Sequence, residues 1–255
     1  MPTPIPQRTR IKMCGLTREA DVEAAVAAGV DAIGFVLYAA SPRAVTPARA
    51  AELARLLPPF VTPVLLFSAL ALVPGALAQF HGDETPAHCL EVARQSGRSF
   101  IRAARIEDGP QGKNFDLLEY AQNYCEAQAL LLDAHVAGYG GGGKVFNWSL
   151  LPPNVDAHLV LSGGLDSANV GDGIALLRPR CRSLALDVSS GVETDAPGGE
   201  PSRASKTPPK FTNSSLRPAP PTTALQESTE PCPATTNPMP GAISAYTAAV
   251  LSPKR

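Results

Sequence analysis

Short β-rich apolar runs, eight in all, alternate with alanine-rich stretches of helical character. The chemically distinctive residues follow many of those runs and do not gather at one crossing point. These two observations predict an α/β fold, a (βα)8 TIM barrel of parallel strands, over an open doubly wound sheet. A third bounds it. The chain has 255 residues, and close to half of its 26 prolines lie beyond Glu193, where almost no apolar run accompanies them.

The first strand is read at Arg10–Cys14, followed by a helix from Thr17, a capping hydroxyl, to Gly29. Ala32–Val36 is the second strand. Thr46-Pro47 opens the next helix, with proline at its favoured first position, and Pro58 ends it. Val64–Phe67 and Ala76–Phe80 are the third and fourth strands. Thr85-Pro86 starts a helix reaching Gly97, and Phe100–Ala103 is the fifth strand. A helix over Leu117–Tyr124 precedes strand Ala129–Asp133. Strands Leu159–Ser162 and Leu184–Val188 complete the set, with a helix near Ser167–Leu177 between them.

The expected organisation is a flexible start at residues 1–8, a barrel domain at 9–193 and a Pro/Ser/Thr-rich disordered tail at 194–255, with one possible short helix at Ala242–Leu251. Two links depart from a regular barrel. Between Phe67 and Ala76 only eight residues remain, whereas a parallel crossover takes about ten to twelve including its helix. The third helix is therefore read as missing or reduced, and the eighth as replaced by the tail. Uncovered outer faces on the third and fourth strands follow as an expectation, at a cost of about 5–10 kcal/mol.

A net charge of −1 gives no electrostatic case for nucleic acid or an anionic membrane as partner. The run Val61–Phe80 has nearly the length of a bilayer span, but Pro63, Pro74 and Gly75 break it and it reads as two buried strands. Five cysteines without C-x-x-C spacing argue against a disulfide framework or a zinc site. The start carries no apolar signal core, so the chain is expected in the cytoplasm.

The strand ends carry Lys12-Met-Cys14-Gly15, Gln79-Phe-His81-Gly82-Asp83-Glu84, Leu131-Leu-Asp133, Leu161-Ser-Gly163-Gly164 and Asp187-Val-Ser-Ser190-Gly191. Backbone amides of the Gly-Gly and Ser-Ser-Gly turns, each at the mouth of a late strand, suit a phosphate. Tight βα turns need such glycines too. Gly138–Val145 nearly spells a P-loop, but Val145 stands where a magnesium-holding hydroxyl belongs.

In this order, R-I-K-M-C-G-L-T (10–17), D-A-I-G-F-V (31–36), S-P-R-A-V (41–45), Q-F-H-G-D-E (79–84), L-L-D with G-G-G-G-K-V-F-N-W (131–133, 140–148), S-G-G-L (162–165) and D-V-S-S-G-V-E (187–193) resemble phosphoribosylanthranilate isomerase, an enzyme family of tryptophan biosynthesis. The resemblance spans nearly all of residues 9–193 and shows an internal deletion and an atypical C-terminal tail.

The resemblance implies an Amadori rearrangement of N-(5-phosphoribosyl)anthranilate to 1-(2-carboxyphenylamino)-1-deoxyribulose 5-phosphate. An acid protonates the ring oxygen and opens the furanose, and a base then takes the C2′ proton. Asp133 matches the family's acid and Cys14 its base. Arg43 matches the arginine that receives the anthranilate carboxylate, a task suited to a planar fork. Asp187 and His81 are expected against the substrate, and Gly163, Gly164, Ser189, Ser190 and Gly191 around its phosphate. No metal or organic cofactor is implied. The expected partner is a small phosphosugar, with the protein a monomer or homodimer. The rival readings are a catalytically impaired derivative and another phosphosugar-binding barrel such as indoleglycerol-phosphate synthase.

Overall fold

The structure, a computed structural model, describes residues 8–66, 72–107, 115–134, 147–195 and 201–206. Eight parallel strands close into a barrel in chain order: β1 (Arg10–Cys14), β2 (Ala32–Val36), β3 (Thr62–Leu66), β4 (Leu77–Phe80), β5 (Phe100–Ile106), β6 (Ala129–Ala134), β7 (Val155–Leu161) and β8 (Cys181–Val188). β8 pairs back onto β1, with Lys12 opposite Asp187. Five α-helices stand among the described residues: α1 (Glu19–Ala27), α2 (Pro47–Ala54), α3 (Pro86–Ser96), α4 (Leu117–Asn123) and α5 (Val170–Leu177).

Alternation along each strand sorts side chains into two cores. Ile11, Met13, Ile33, Phe35, Leu65, Leu132, Leu161 and Leu186 belong to the large cluster that also takes in the helices. The alternate positions form smaller clusters inside the barrel, Cys14 with Val36, Val64 and Leu66, and Ile101 with Ala103, Leu131 and Val160. Lys12, Gln79, Asp133 and Asp187 keep step with this second set, so they too turn into the barrel.

The helix starts are set by local chemistry. Thr46 accepts a hydrogen bond from Arg49 N (3.1 Å) and Thr85 one from His88 N (3.3 Å), each with proline behind it. Gly97 ends α3 at φ 64°. Thr17 is not a cap: Arg18 holds that position without a side-chain bond, and α1 begins two residues later. α5 begins at Val170 and not near Ser167, because Asp166 Oδ1 accepts from Ala168 N (2.8 Å) and Asn169 N (3.0 Å) and holds that stretch as a turn.

Between β3 and β4 the described residues contain one turn, at 72–75, and no α-helix. The outer faces of these strands are nevertheless covered, contrary to the expected exposure. Leu65 is 1% exposed and Phe80 6%, while Val73 (2%) and Ala76 (1%) from the short link enter the same core. Phe80 packs edge-on against Phe100, with centroids 5.5 Å apart, and against His88 of α3. The 61–80 run thus carries two strands, and no helix among the described residues is long and apolar enough to cross a membrane.

After β8 and a short turn at Ser190–Val192, strand β9 (Glu193–Asp195) pairs antiparallel with β10 (Pro201–Lys206). This ribbon stands where a structureless tail was expected to begin. The helix expected at Ala242–Leu251 and the Gly138–Val145 loop lie outside the described residues. Cys14, Cys89 and Cys181 are buried thiols.

Candidate active site

Strand alternation delivers the polar groups to one mouth. Cys14 is the last residue of β1 and is 6% exposed, Asp133 is next to last in β6 (4%), and Asp187 is next to last in β8 (6%). β6 is three strands from β1 around the ring, through β7 and β8. The thiol and the carboxyl thus stand at separate arcs of the mouth.

Asp133 Oδ2 lies 3.0 Å from Nε2 of His81, and Nδ1 of His81 lies 3.1 Å from Nε2 of Gln79. If the amide donates to Nδ1, the Nε2–H of the imidazole donates to Oδ2 of Asp133, which leaves Oδ1 for the proton of a carboxylic acid. His81 is therefore committed to orienting Asp133. Its turn is clamped from outside the sheet by Arg102, which donates to Phe80 O (3.1 Å), Gly82 O (3.0 Å) and Glu84 Oε2 (2.9 Å). The faces of Tyr124 and Tyr120 lie 4.9 and 6.0 Å from that guanidinium.

A pocket is lined by Asp133, Ser162, Gly163, Gly164, Leu165, Asp187, Ser189, Ser190 and Gly191. All five residues expected around a phosphate therefore share one cavity with both acidic residues. The glycines are required sterically. Gly163 has φ +79°, and a Cβ there would stand 2.7 Å from Ala134 N and 3.0 Å from Asp133 Oδ1. A Cβ on Gly191 would reach 2.0 Å from Leu165 O. Ser189 Oγ donates to Cys14 O (3.1 Å), tying the two ends of the barrel seam together.

Arg43 follows β2 and packs its Cδ where a Cβ on Gly15 would stand, at 2.5 Å. It is thereby next to Cys14. Its Nε and Nη2 are bidentate on Glu193, at 2.6 and 3.0 Å, and both side chains are buried. The fork is thus already on a carboxylate along one edge, and among the described residues no hydrogen bond is made by its Nη1.

Sequence reasoning named no role for Lys12, Gln79, Arg102, Ser162 or Glu193. A lysine at i−2 from Cys14 in an apolar strand was a legible sign, since period two turns both inward. Lys12 is 4% exposed, and its Nζ lies 2.8 Å from Asp187 Oδ1. Burial works against its charge, but Asp187 and then Cys14 outweigh that, so its pKa is raised.

A closed parallel barrel with a thiol, two carboxyl groups and glycine/serine turns at its C-terminal mouth defines an enzyme of the TIM-barrel class. The family model for N-(5'phosphoribosyl)anthranilate (PRA) isomerase matches residues 11–200, and the chain belongs to that family. It is 61% identical over 196 residues to the N-(5'-phosphoribosyl)anthranilate isomerase of Methylibium petroleiphilum, covering 73% of this chain and 86% of that protein. For the Leptothrix cholodnii enzyme of the same name the identity is 58% over 198 residues, covering 74% and 84%. Among solved structures, the phosphoribosyl anthranilate isomerase of Thermotoga maritima aligns with TM-score 0.61 and 34% identity, over 76% of this chain and 93% of that one. An isomerase in complex with reduced 1-(o-carboxyphenylamino)-1-deoxyribulose 5-phosphate aligns with TM-score 0.54 and 30% identity over the same shares.

Proposed function

We propose that this chain converts N-(5-phosphoribosyl)anthranilate to 1-(2-carboxyphenylamino)-1-deoxyribulose 5-phosphate through Asp133 as general acid and Cys14 as general base. The observation that carries the reading is the single cavity shared by Asp133, Asp187 and the two glycine/serine turns. A phosphate seated on those turns leaves the sugar ring within reach of the strand ends.

Asp133 protonates the furanose oxygen, the C1′–O bond breaks, and the nitrogen lone pair closes an imine. Cys14 as thiolate then takes the C2′ proton, and the C–H electron pair forms the enamine, which becomes the ketone. His81 keeps Asp133 turned to the sugar. Arg43 receives the anthranilate carboxylate on its Nη1 edge while Glu193 fixes the other. Asp187 lies beside the reacting amine. The catalytic unit is residues 9–193, acting on its phosphosugar as a monomer or homodimer in the cytoplasm and requiring no cofactor.

The test is turnover by the full chain, followed as loss of substrate fluorescence. Activity that disappears in Cys14→Ala and Asp133→Asn supports the reading, and a folded chain without turnover sinks it.

A further inference from the structure

Lys12 is a buried cation that the scheme above leaves unused. It faces into the barrel two residues before Cys14 and directly across the β1–β8 ladder from Asp187. Nζ has three protons to donate. One goes to Asp187 Oδ1 at 2.8 Å, and Cys14 is, after Asp187, the second group that raises the pKa of the ammonium. Among the described residues, Asp187 on β8 and Cys14 on its own strand are the titratable groups that act on Lys12. The adjacent strand presents Gly34, opposite Cys14 in register. A Cβ on Gly34 would stand 2.7 Å from Cys14 Sγ and 3.2 Å from Lys12 Cε, so a glycine there leaves the space in which the lysine stem and the sulfur meet.

We propose that Lys12 is the positioning residue of the base: anchored by Asp187, its ammonium is held against Cys14 Sγ and keeps the sulfur in the thiolate form that takes the C2′ proton. The inference rests on the isomerase reading for its consequence, but not for its test. In the step itself the C2′ proton passes to sulfur, the C–H pair stays with the substrate, and Lys12 keeps its three protons throughout. Asp187 then has two tasks, since the carboxylate beside the amine is also the group that anchors Lys12.

The experiment compares the full chain with Lys12→Met and Lys12→Arg, following iodoacetamide alkylation at the Cys14 peptide by mass spectrometry from about pH 6 to 10, where a thiol titrates. In Lys12→Met the midpoint of Cys14 reactivity is expected to rise by about one pH unit or more. kcat falls about tenfold or more with KM changed far less, and Lys12→Arg restores most of both. An unchanged midpoint in folded Lys12→Met overturns the proposal. If that variant does not fold because Asp187 is stranded, Lys12→Met/Asp187→Asn removes the stranded charge and is judged by the same midpoint. Failure of both to fold assigns Lys12 to the core alone and also overturns it. A wild-type chain with a Lys12-dependent midpoint but no turnover counts against the isomerase reading only.

Discussion

Arg43 and Glu193, 150 residues apart, hold each other bidentately in a buried pair, Nε to Oε1 at 2.6 Å and Nη2 to Oε2 at 3.0 Å. The contact fastens the loop after β2 to the chain leaving β8, which has no covering helix among the described residues. Glu193→Ala strands a buried guanidinium. It is expected to lower stability by about 3–5 kcal/mol, read as a urea midpoint, and to raise KM as Arg43 loses its orientation. An unchanged midpoint and KM would remove Glu193 from the account.

His81 Nε2 lies 3.0 Å from Asp133 Oδ2, and variants of the two residues separate the proposed acid from its support. Asp133→Asn keeps the contact with His81 in shape but cannot supply the proton, so kcat is expected to fall by about 10²–10⁴ with KM little altered. His81→Ala frees the carboxyl without removing it, and a smaller loss in kcat is expected. Equal losses in the two variants would make the histidine more than a support. Steady-state kinetics at one pH separates the cases.

Gly163→Ala places a methyl where Ala134 N stands 2.7 Å away, at a φ that side chains rarely adopt. The turn must open, so KM should rise about tenfold while the pH profile of kcat keeps its shape. Inorganic phosphate, as a competitive inhibitor, should weaken in parallel. A variant with unaltered phosphate inhibition would place the anion elsewhere.

Arg102 makes three bonds to the turn that carries His81, from the side of the sheet away from the cavity. Arg102→Ala leaves two buried carbonyls without a donor and is expected to cost about 2–4 kcal/mol, with kcat reduced because His81 is no longer fixed. Thermal unfolding and kcat measured on one preparation check both effects.

Stability should fall on the alkaline side. Burial pushes the thiols of Cys181 and Cys89 up from 9.0 to about 11, and Lys12 is raised above 10.5. For the thiols the unfolded chain releases its proton first as pH passes 9.0, which favours unfolding increasingly up to about 11. Lys12 contributes its full stabilisation below 10.5 and loses it as pH rises through the raised folded value. All three have the same sign. The unfolding free energy read from urea titrations is expected to drop from about pH 9 upward, by about 2 kcal/mol for Cys181 across that window. Cys181→Ala should flatten the first part of the fall.

How much of this was legible follows from which forces act locally. Thr46-Pro47, Thr85-Pro86 and Gly97 declare helix ends through bonds made within a few residues, and the structure has them where expected. Thr17 fails because an N-terminal hydroxyl is one of several ways to begin a helix, and Asp166 moved the start of α5 through an equally local turn that the pattern of apolar residues does not report. The burial of Leu65 and Val73 in one core depends on tertiary packing around a shortened link, where an area argument assumes that nothing moves in. In the site, the residues at strand ends were visible because period two and βα turns fix their direction. The pairing of Arg43 with Glu193 joins positions far apart in sequence, and no local pattern encodes it.

The central claim is that one mouth holds a thiolate base at Cys14 and a carboxyl acid at Asp133 around a phosphoribosyl aminobenzoate. The most direct measurement is the fluorescence decay of N-(5-phosphoribosyl)anthranilate with the purified full chain and with Cys14→Ala. The account predicts turnover by the former and its loss, at unchanged circular dichroism, in the latter. Turnover that survives Cys14→Ala, or a folded wild-type chain that leaves the substrate fluorescent, contradicts it.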